Sequence, residues 1–255
     1  MATGTPSTDL RARAAPLLIG LGWIFGIRAL LLLLGGFLGG SPLAEAVLGA
    51  LVCDLATSRA GITWTTEELG RSELQRRALR AAGLGAAPVV AATVCALALS
   101  HATIAGGSPS IMLLASLAGS FTVAIRDELL YRALPFHFAR AAGVPDGAIV
   151  IFAALLSPTA FIATSFSVPA LVLSLSSGLF FAVVYARASG AWAAIAAHAT
   201  TLAILGPLSR GGVVDVAYLR GDLAEGAAAS GPVALFAAAG FVAAAGWLWR
   251  RGASR

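Results

Sequence analysis

Arg126-Asp127-Glu128-Leu129-Leu130-Tyr131-Arg132 closes an apolar run that begins at Ser110 and reaches Ile125. Four charged side chains fall within these seven residues, at or near membrane depth. Charges in such a place are costly on any insertion scale, so a chain that keeps them uses them for structure or for chemistry. On a helix, Asp127 and Glu128 point about 100° apart. Glu128 and Arg132 stand four residues apart with the acid first, the favourable order for an ion pair. Asp127 and Tyr131 share a face by the same spacing. One reading is a structural clamp in which Arg132 neutralises Glu128 and Arg126 reaches the membrane interface. The other makes one carboxylate a base that activates water, with Arg132 holding its neighbour.

The surroundings fix the setting of this stretch. The 255 residues are 58% hydrophobic and 11% charged, with a mean hydropathy of +0.88. A soluble domain carries about 25% charged residues, so the chain reads as an all-α, polytopic membrane bundle. Apolar runs near the roughly 20 residues needed to span fall at 16–39, 43–57, 86–105, 110–134, 147–166, 168–187, 190–207 and 231–249. This gives a short N-terminal segment, 1–15, and one transmembrane domain of about eight helices over 16–250. Both termini are then on the same side.

The basic residues orient it. All 17 are arginine and the net charge is +5. With a cytoplasmic N-terminus, 12 of them fall in inside segments, 2 in outside loops and 3 in or near spans. That distribution obeys the positive-inside rule. It implies a multi-pass protein of the inner or plasma membrane, with lipids as neighbours. Scattered over loops, the arginines do not form a nucleic-acid surface. The stretch 58–82 reads as an amphipathic segment on the cytoplasmic interface, with a helix start at Thr65-Thr66-Glu67-Glu68. The outside loop 207–230 reads as irregular. Glu67 and Glu68 look like paired carboxylates, but water screens them there. Cys53 and Cys95 sit in apolar runs and offer neither a disulfide framework nor metal spacing. The first apolar run lacks a cleavage site and reads as a retained helix.

His198 is one of few polar groups at depth and is followed by Thr200 and Thr201. A lone histidine in such a place serves more often as a hydrogen-bonding residue than as a catalyst. His101 and His137 fall near the two membrane boundaries. Asp127, Glu128 and His198 do not suit one metal ion, because adjacent helical residues converge poorly. No metal and no cofactor is expected.

Taken in order, these residues resemble the CPBP family of intramembrane endopeptidases, related to CAAX prenyl proteases and to bacteriocin-processing proteins. Asp127-Glu128-Leu129-Leu130-Tyr131-Arg132 is similar to the family's Glu-Glu-x-x-x-Arg motif. Leu155-Leu156-Ser157 through Phe161 to Ser165 is similar to its Phe-x-x-x-His motif, with serine in the histidine's place. Tyr185, Arg187, Trp192, Ile195 and His198 fit its third motif, with Leu202 where a polar residue is usual and Thr201 the nearest substitute. The segment from Arg59-Ala60-Gly61 to Glu68-Leu69-Gly70 is similar to the family's linker. The resemblance implies water-activated hydrolysis of a peptide bond in a membrane-anchored or lipidated protein. It makes Asp127 the base, Ser165 its partner, His198 the oxyanion donor, and Glu128 with Arg132 the support. Thr201 and Tyr131 are further candidates for the oxyanion or for positioning.

The active-site pattern is degenerate. Aspartate is one methylene shorter than glutamate, and a displacement near 1 Å can cost about a hundredfold in rate. Serine cannot cycle a proton near neutral pH as imidazole does. Two functions therefore stay open beside each other. One is an active intramembrane protease. The other is an inactive relative that binds hydrophobic peptides or acts as partner to a protease. A transporter with an Asp/Glu/Arg site is a third reading, disfavoured by the absence of an inverted repeat.

Overall fold

The computed structural model describes residues 7–38, 41–64, 70–161, 167–188, 190–223 and 229–252. Helices α1 (Ser7–Phe37), α2 (Pro42–Arg59) and α3 (Arg71–Ala98) come first and lead into strand β1 (Ala102–Gly106). Helix α4 (Ile111–Glu128) continues through a π-turn (Leu129–Ala133) into α5 (Leu134–Ala141). Helix α6 (Asp146–Leu156) ends in a 3-10 turn (Ser157–Phe161), followed by α7 (Val168–Arg187). Helix α8 (Ala191–Ala203) ends in a second π-turn (Ile204–Leu208), then β2 (Val214–Tyr218) and α9 (Gly231–Gly252) complete the chain.

Among the described residues, five helices are long and apolar enough to cross a membrane: Ala14–Phe37, Arg71–Ala98, Val168–Arg187, Ala191–Leu208 and Gly231–Arg251. Large apolar side chains such as Leu33, Leu114 and Val168 face outward. In water that would be costly; against lipid tails it is neutral. The protein is a multi-pass helical membrane bundle.

With no hydrophobic drive between helices in lipid, close packing must hold them together. The interior is accordingly built from small residues. Ala81, Val89 and Ala92 of α3 lie in one buried cluster with Ala193, Ala194 and Ala197 of α8. A Cβ at Gly85 would collide with the Ala197 carbonyl oxygen, so α3 and α8 touch backbone to backbone there. Pro88 of α3 meets Gly240 of α9 in the same manner.

Three parts of the chain differ from their sequence reading. The helix expected to run to residue 105 stops at Ala98, and Ala102–Gly106 forms a strand instead. The loop 207–230, expected to be irregular, contains its partner. Ala102 pairs with Tyr218 and Gly106 with Val214 in an antiparallel ribbon, which Thr93 ties to α3 through the Tyr218 hydroxyl at 2.8 Å. The all-α bundle thus carries one small β-ribbon at one end. The third difference concerns 58–82. A helix begins after Gly70 and runs unbroken to Ala98, so Arg76, Arg77 and Arg80 are the first turns of α3 and not a separate interfacial helix. Nothing in Ala81-Ala82-Gly83-Leu84 stops a helix once begun. The expected start at Thr65-Thr66-Glu67-Glu68 lies outside the described residues.

Replacing Gly85 with valine should lower stability by about 1 to 3 kcal/mol, the usual cost of overpacking. Unfolding in mixed micelles measures it. A Gly85→Val protein as stable as the parent would contradict the close α3–α8 contact.

Candidate active site

The site begins with Pro135, at the start of α5. Proline has no N–H, and its ring clashes with the carbonyl four residues earlier, here that of Tyr131. The chain responds by widening: Leu134 N–H bonds to Leu129 O, a five-residue step. Such single π-turns within α-helices recur at functional sites. This wider turn brings residues four apart closer to one line along the helix. Glu128 precedes it and Arg132 lies within it, and Arg132 Nη1 lies 3.1 Å from Glu128 Oε1.

The same oxygen, Oε1, lies 2.8 Å from His198 Nδ1 on α8. A carboxylate only accepts, so Nδ1 carries the proton. This bond fixes the tautomer and the tilt of the ring. The imidazole is stacked on Phe181 of α7, with centroids 4.4 Å apart. Arg132 Nη2 donates to Ser157 Oγ at 2.9 Å, and Ser157 in turn donates to Ala153 O at 3.3 Å. Helices α4, α6, α7 and α8 are thereby joined around one ion pair. Glu128 is 0% exposed, Arg132 2% and His198 6%. Among the described residues, Glu128 Oε2 and Arg132 Nε have no hydrogen-bond partner.

Asp127 points elsewhere. Its Oδ1 lies 2.7 Å from Nε of Arg126. Arg126 thus folds back on its neighbour and keeps about a quarter of its side chain exposed. Gly49 of α2 makes room for it, since a Cβ there would fall 2.8 Å from Arg126 Cδ. Asp127, Tyr131, Ser157, Ser177, His198 and Leu202 line a cavity of about 50 Å³. A water needs about 10–15 Å³ on this measure, so a few fit. Glu128 stands behind this wall.

Among the expected residues, Asp127, Arg132, His198, Tyr131 and Thr201 all border the cavity, with Glu128 in contact from behind. Thr201 is not oriented as an oxyanion donor. Its hydroxyl donates to Ala197 O at 2.9 Å and to Gly85 O at 3.0 Å, so its one proton is spent on the α3–α8 contact. The Tyr131 hydroxyl is buried beside Asp127, Arg28 and Thr159, and no partner meets hydrogen-bond geometry with it. Arg28 reaches in from α1 and donates to Thr159 O at 3.0 Å, pinning the 3-10 turn. Ser165 lies outside the described residues. His137 is exposed and His101 partly so; neither borders the cavity. Among the described residues no group of three His, Cys, Asp or Glu is placed to hold a metal.

Ser157 is the residue the sequence reading passed over. It was quoted within the second motif, but Ser165 was given the role. One signal pointed to it: Ser157 bears the one hydroxyl in the run Gly147 to Ser157, just before Pro158. Gly178 of α7 makes room for it, since a Cβ there would overlap Ser157 Oγ.

A polar cluster sealed within an apolar multi-pass bundle defines the class of membrane protein with an intramembrane site. Residues 108–204 match the model of the type II CAAX prenyl endopeptidase Rce1-like family. This segment, which is thus similar to the CAAX-protease-like proteins, runs from the loop before α4 into the turn after α8 and contains every residue of the cluster. No curated protein and no solved structure matches the chain.

Arg132→Ala should cost about 3 to 5 kcal/mol, because it leaves Glu128 buried without its counter-charge. Arg132→Ala combined with Glu128→Ala should cost less than the two single changes added together. A double-mutant cycle of unfolding free energies in micelles checks this. Strict additivity would show that the pair does not carry the site.

Proposed function

We propose that this chain is a CAAX-type intramembrane endopeptidase. Its substrates would be membrane-anchored or lipidated proteins, and its setting the plasma or inner membrane with both termini cytoplasmic. The observation that carries this reading is the sealed Glu128–Arg132–His198 network beside a water-sized cavity that Asp127 lines. Hydrolysis of a peptide needs an activated water and a donor for the oxyanion. Asp127 is the carboxylate placed to take a proton from water in the cavity as that water attacks the substrate carbonyl. His198, held through Nδ1 by Glu128, would donate to the developing oxyanion from Nε2 in its doubly protonated form, the only form in which both ring nitrogens are donors. Arg132 and Ser157 keep Glu128 in position. The proton taken by Asp127 then passes to the departing amine. No metal enters these steps.

A second reading is supported by a separate observation. Asp127 is held at 2.7 Å by Arg126, and the hydroxyl that α6 contributes is bound to Arg132. Neither feature helps to activate water. A site of this kind suits binding of a hydrophobic peptide without cleavage, or service as partner to another protease.

The test is co-expression with membrane-anchored and lipidated reporter proteins, with cleavage followed by mass. Asp127→Asn should lower cleavage by about 10²- to 10⁴-fold, the range of general-base catalysis. His198→Ala should lower it by about 10²- to 10³-fold, as for loss of an oxyanion donor. Cleavage unchanged in both would sink the assigned site. Reporter binding that depends on His198, with no cleavage by the parent protein, would favour the second reading. Ser157→His and Ser165→His, made separately, report which position restores a second proton carrier.

A further inference from the structure

At the end of the bundle opposite the β-ribbon, three helices bring their arginines to one place. Pro88 of α3 touches Gly240 of α9. These helices are antiparallel, since α3 runs into β1 and α9 follows its partner β2. Eight residues along each helix from that contact bring Arg80 level with Leu248, and one further turn brings Arg76 level with Gly252. Arg250 and Arg251 therefore lie beside the first turns of α3. Helix α7 ends between them. Arg187 Cζ stacks 3.9 Å from the Trp249 ring, and Arg77 Nη1 reaches Ala188 O at 3.5 Å.

Charge here is poorly balanced. Arg76, Arg77 and Arg80 from α3, Arg187 from α7, and Arg250 and Arg251 from α9 all fall at this end of the bundle. The acid that α3 contributes, Glu73, is already shared by Arg76 and Arg77 at 2.7 and 2.9 Å. Asp146 at the start of α6 is held by Arg140 through two bonds of 2.9 Å. Arg187 adds an independent sign. Its Nε is buried and has no hydrogen-bond partner among the described residues, while stacking on Trp249 fixes the plane of the guanidinium. A planar, fixed, unsatisfied guanidinium suits the geometry of phosphate oxygens. Trp247 is 45% exposed and carries Arg251 over its ring at 4.2 Å; tryptophan favours the headgroup level of a bilayer.

We propose that the α3–α7–α9 end is a binding site for the headgroup of an anionic phospholipid, with Arg187 as the phosphate anchor. Basic pockets between membrane helices recognise such headgroups through charge-assisted hydrogen bonds. The lipid's acyl chains lie against the exposed Leu79 and Trp247, and its phosphodiester meets Arg187, Arg250 and Arg80. This site is separate from the polar cluster at Glu128 and does not depend on whether that cluster cleaves peptides. Its expected consequence is stabilisation of the three helix ends by lipid.

The test uses the full chain, purified in neutral detergent and titrated with phosphatidylglycerol or phosphatidylcholine. Retained lipid is counted by native mass spectrometry, and unfolding temperature is followed in parallel. Phosphatidylglycerol should be retained in preference and should raise the unfolding temperature. Arg187→Gln should weaken retention by about tenfold, the equivalent of one charge-assisted hydrogen bond. Arg187→Lys, which keeps charge but not the fork, should fall between. Arg59→Gln removes the same charge from the exposed end of α2 and should change little. Should Arg187→Gln fail to fold in phosphatidylcholine, Arg250→Gln with Arg251→Gln removes two exposed charges and should show the same loss. Equal retention of the two lipids would overturn the proposal. So would a loss in Arg59→Gln as large as in Arg187→Gln, since that would reduce the effect to general attraction between a basic end and a charged membrane.

Discussion

One carboxylate oxygen, Oε1 of Glu128, is shared by His198 and Arg132 in a fully buried place. Burying a charge is tolerable only when it is paired and hydrogen-bonded. Glu128 can exist there as a carboxylate only because Arg132 supplies the counter-charge and His198 a donor. Arg132 in turn needs Ser157, and Ser157 needs Gly178 on α7 to make room. Arg132 shares the helix of Glu128, while His198 sits on α8, Gly178 on α7 and Ser157 at the end of α6. The pairing therefore dictates how α4, α6, α7 and α8 meet, at a depth where apolar contacts alone would allow them to slide.

Two prolines make the local geometry possible. Pro135 follows the π-turn at Leu129–Ala133, and Pro207 lies within the π-turn at Ile204–Leu208. At Pro135 the missing N–H is absorbed by widening the helix, whereas at Pro207 the chain kinks at Gly206. The first widened turn aligns Glu128 with Arg132. The second ends α8 just beyond His198 and Leu202, where Gly206 leaves helical geometry and the chain turns toward β2. A standard α-helix through Leu129–Ala133 would set the two charged side chains further apart around the axis, although pairs at this spacing still form, as Glu73 and Arg77 do at 2.9 Å in α3.

Much of this was legible in the sequence, and the reasons differ by residue. The 126–132 cluster stood out because charge is rare in an apolar chain. The i,i+4 spacing gave the Glu128–Arg132 pair directly. His198 was legible as a polar group at depth, although its partner was not, since Glu128 lies 70 residues away. The β-ribbon was illegible for the same reason: Ala102–Gly106 and Val214–Tyr218 pair over more than a hundred residues, and neither has a strand pattern of its own. Ser157 was hidden by a motif alignment that favoured Ser165. A count of polar groups on α6 alone would have singled it out. For Thr201 the choice between oxyanion donor and positioning residue was not legible, because spacing cannot tell which way a hydroxyl turns, and in a helix the carbonyl four residues back competes for it.

The size of the cavity sets a condition on any chemistry here. About 50 Å³ holds a few waters, whereas sites for small organic ligands run to about 300–1,000 Å³. A peptide can reach Asp127 only if part of the wall moves. Moving α6 or α8 would break the bonds of Arg132 to Ser157 and of His198 to Glu128, both buried and costly to lose. The wall at the ribbon end is held differently. Leu223 lines the cavity there and makes apolar contacts. Its neighbour Asp222 is held by Arg210 at 2.7 Å, with side chains 35% and 43% exposed. Ion pairs that exposed contribute about 0–1 kcal/mol. Displacing Leu223 costs chiefly its own burial, about 1.5–3 kcal/mol, against about 3–5 kcal/mol for parting the buried ion pair. The rigid half of the site is the half that positions charge, and the yielding half is the apolar wall that a substrate side chain could replace.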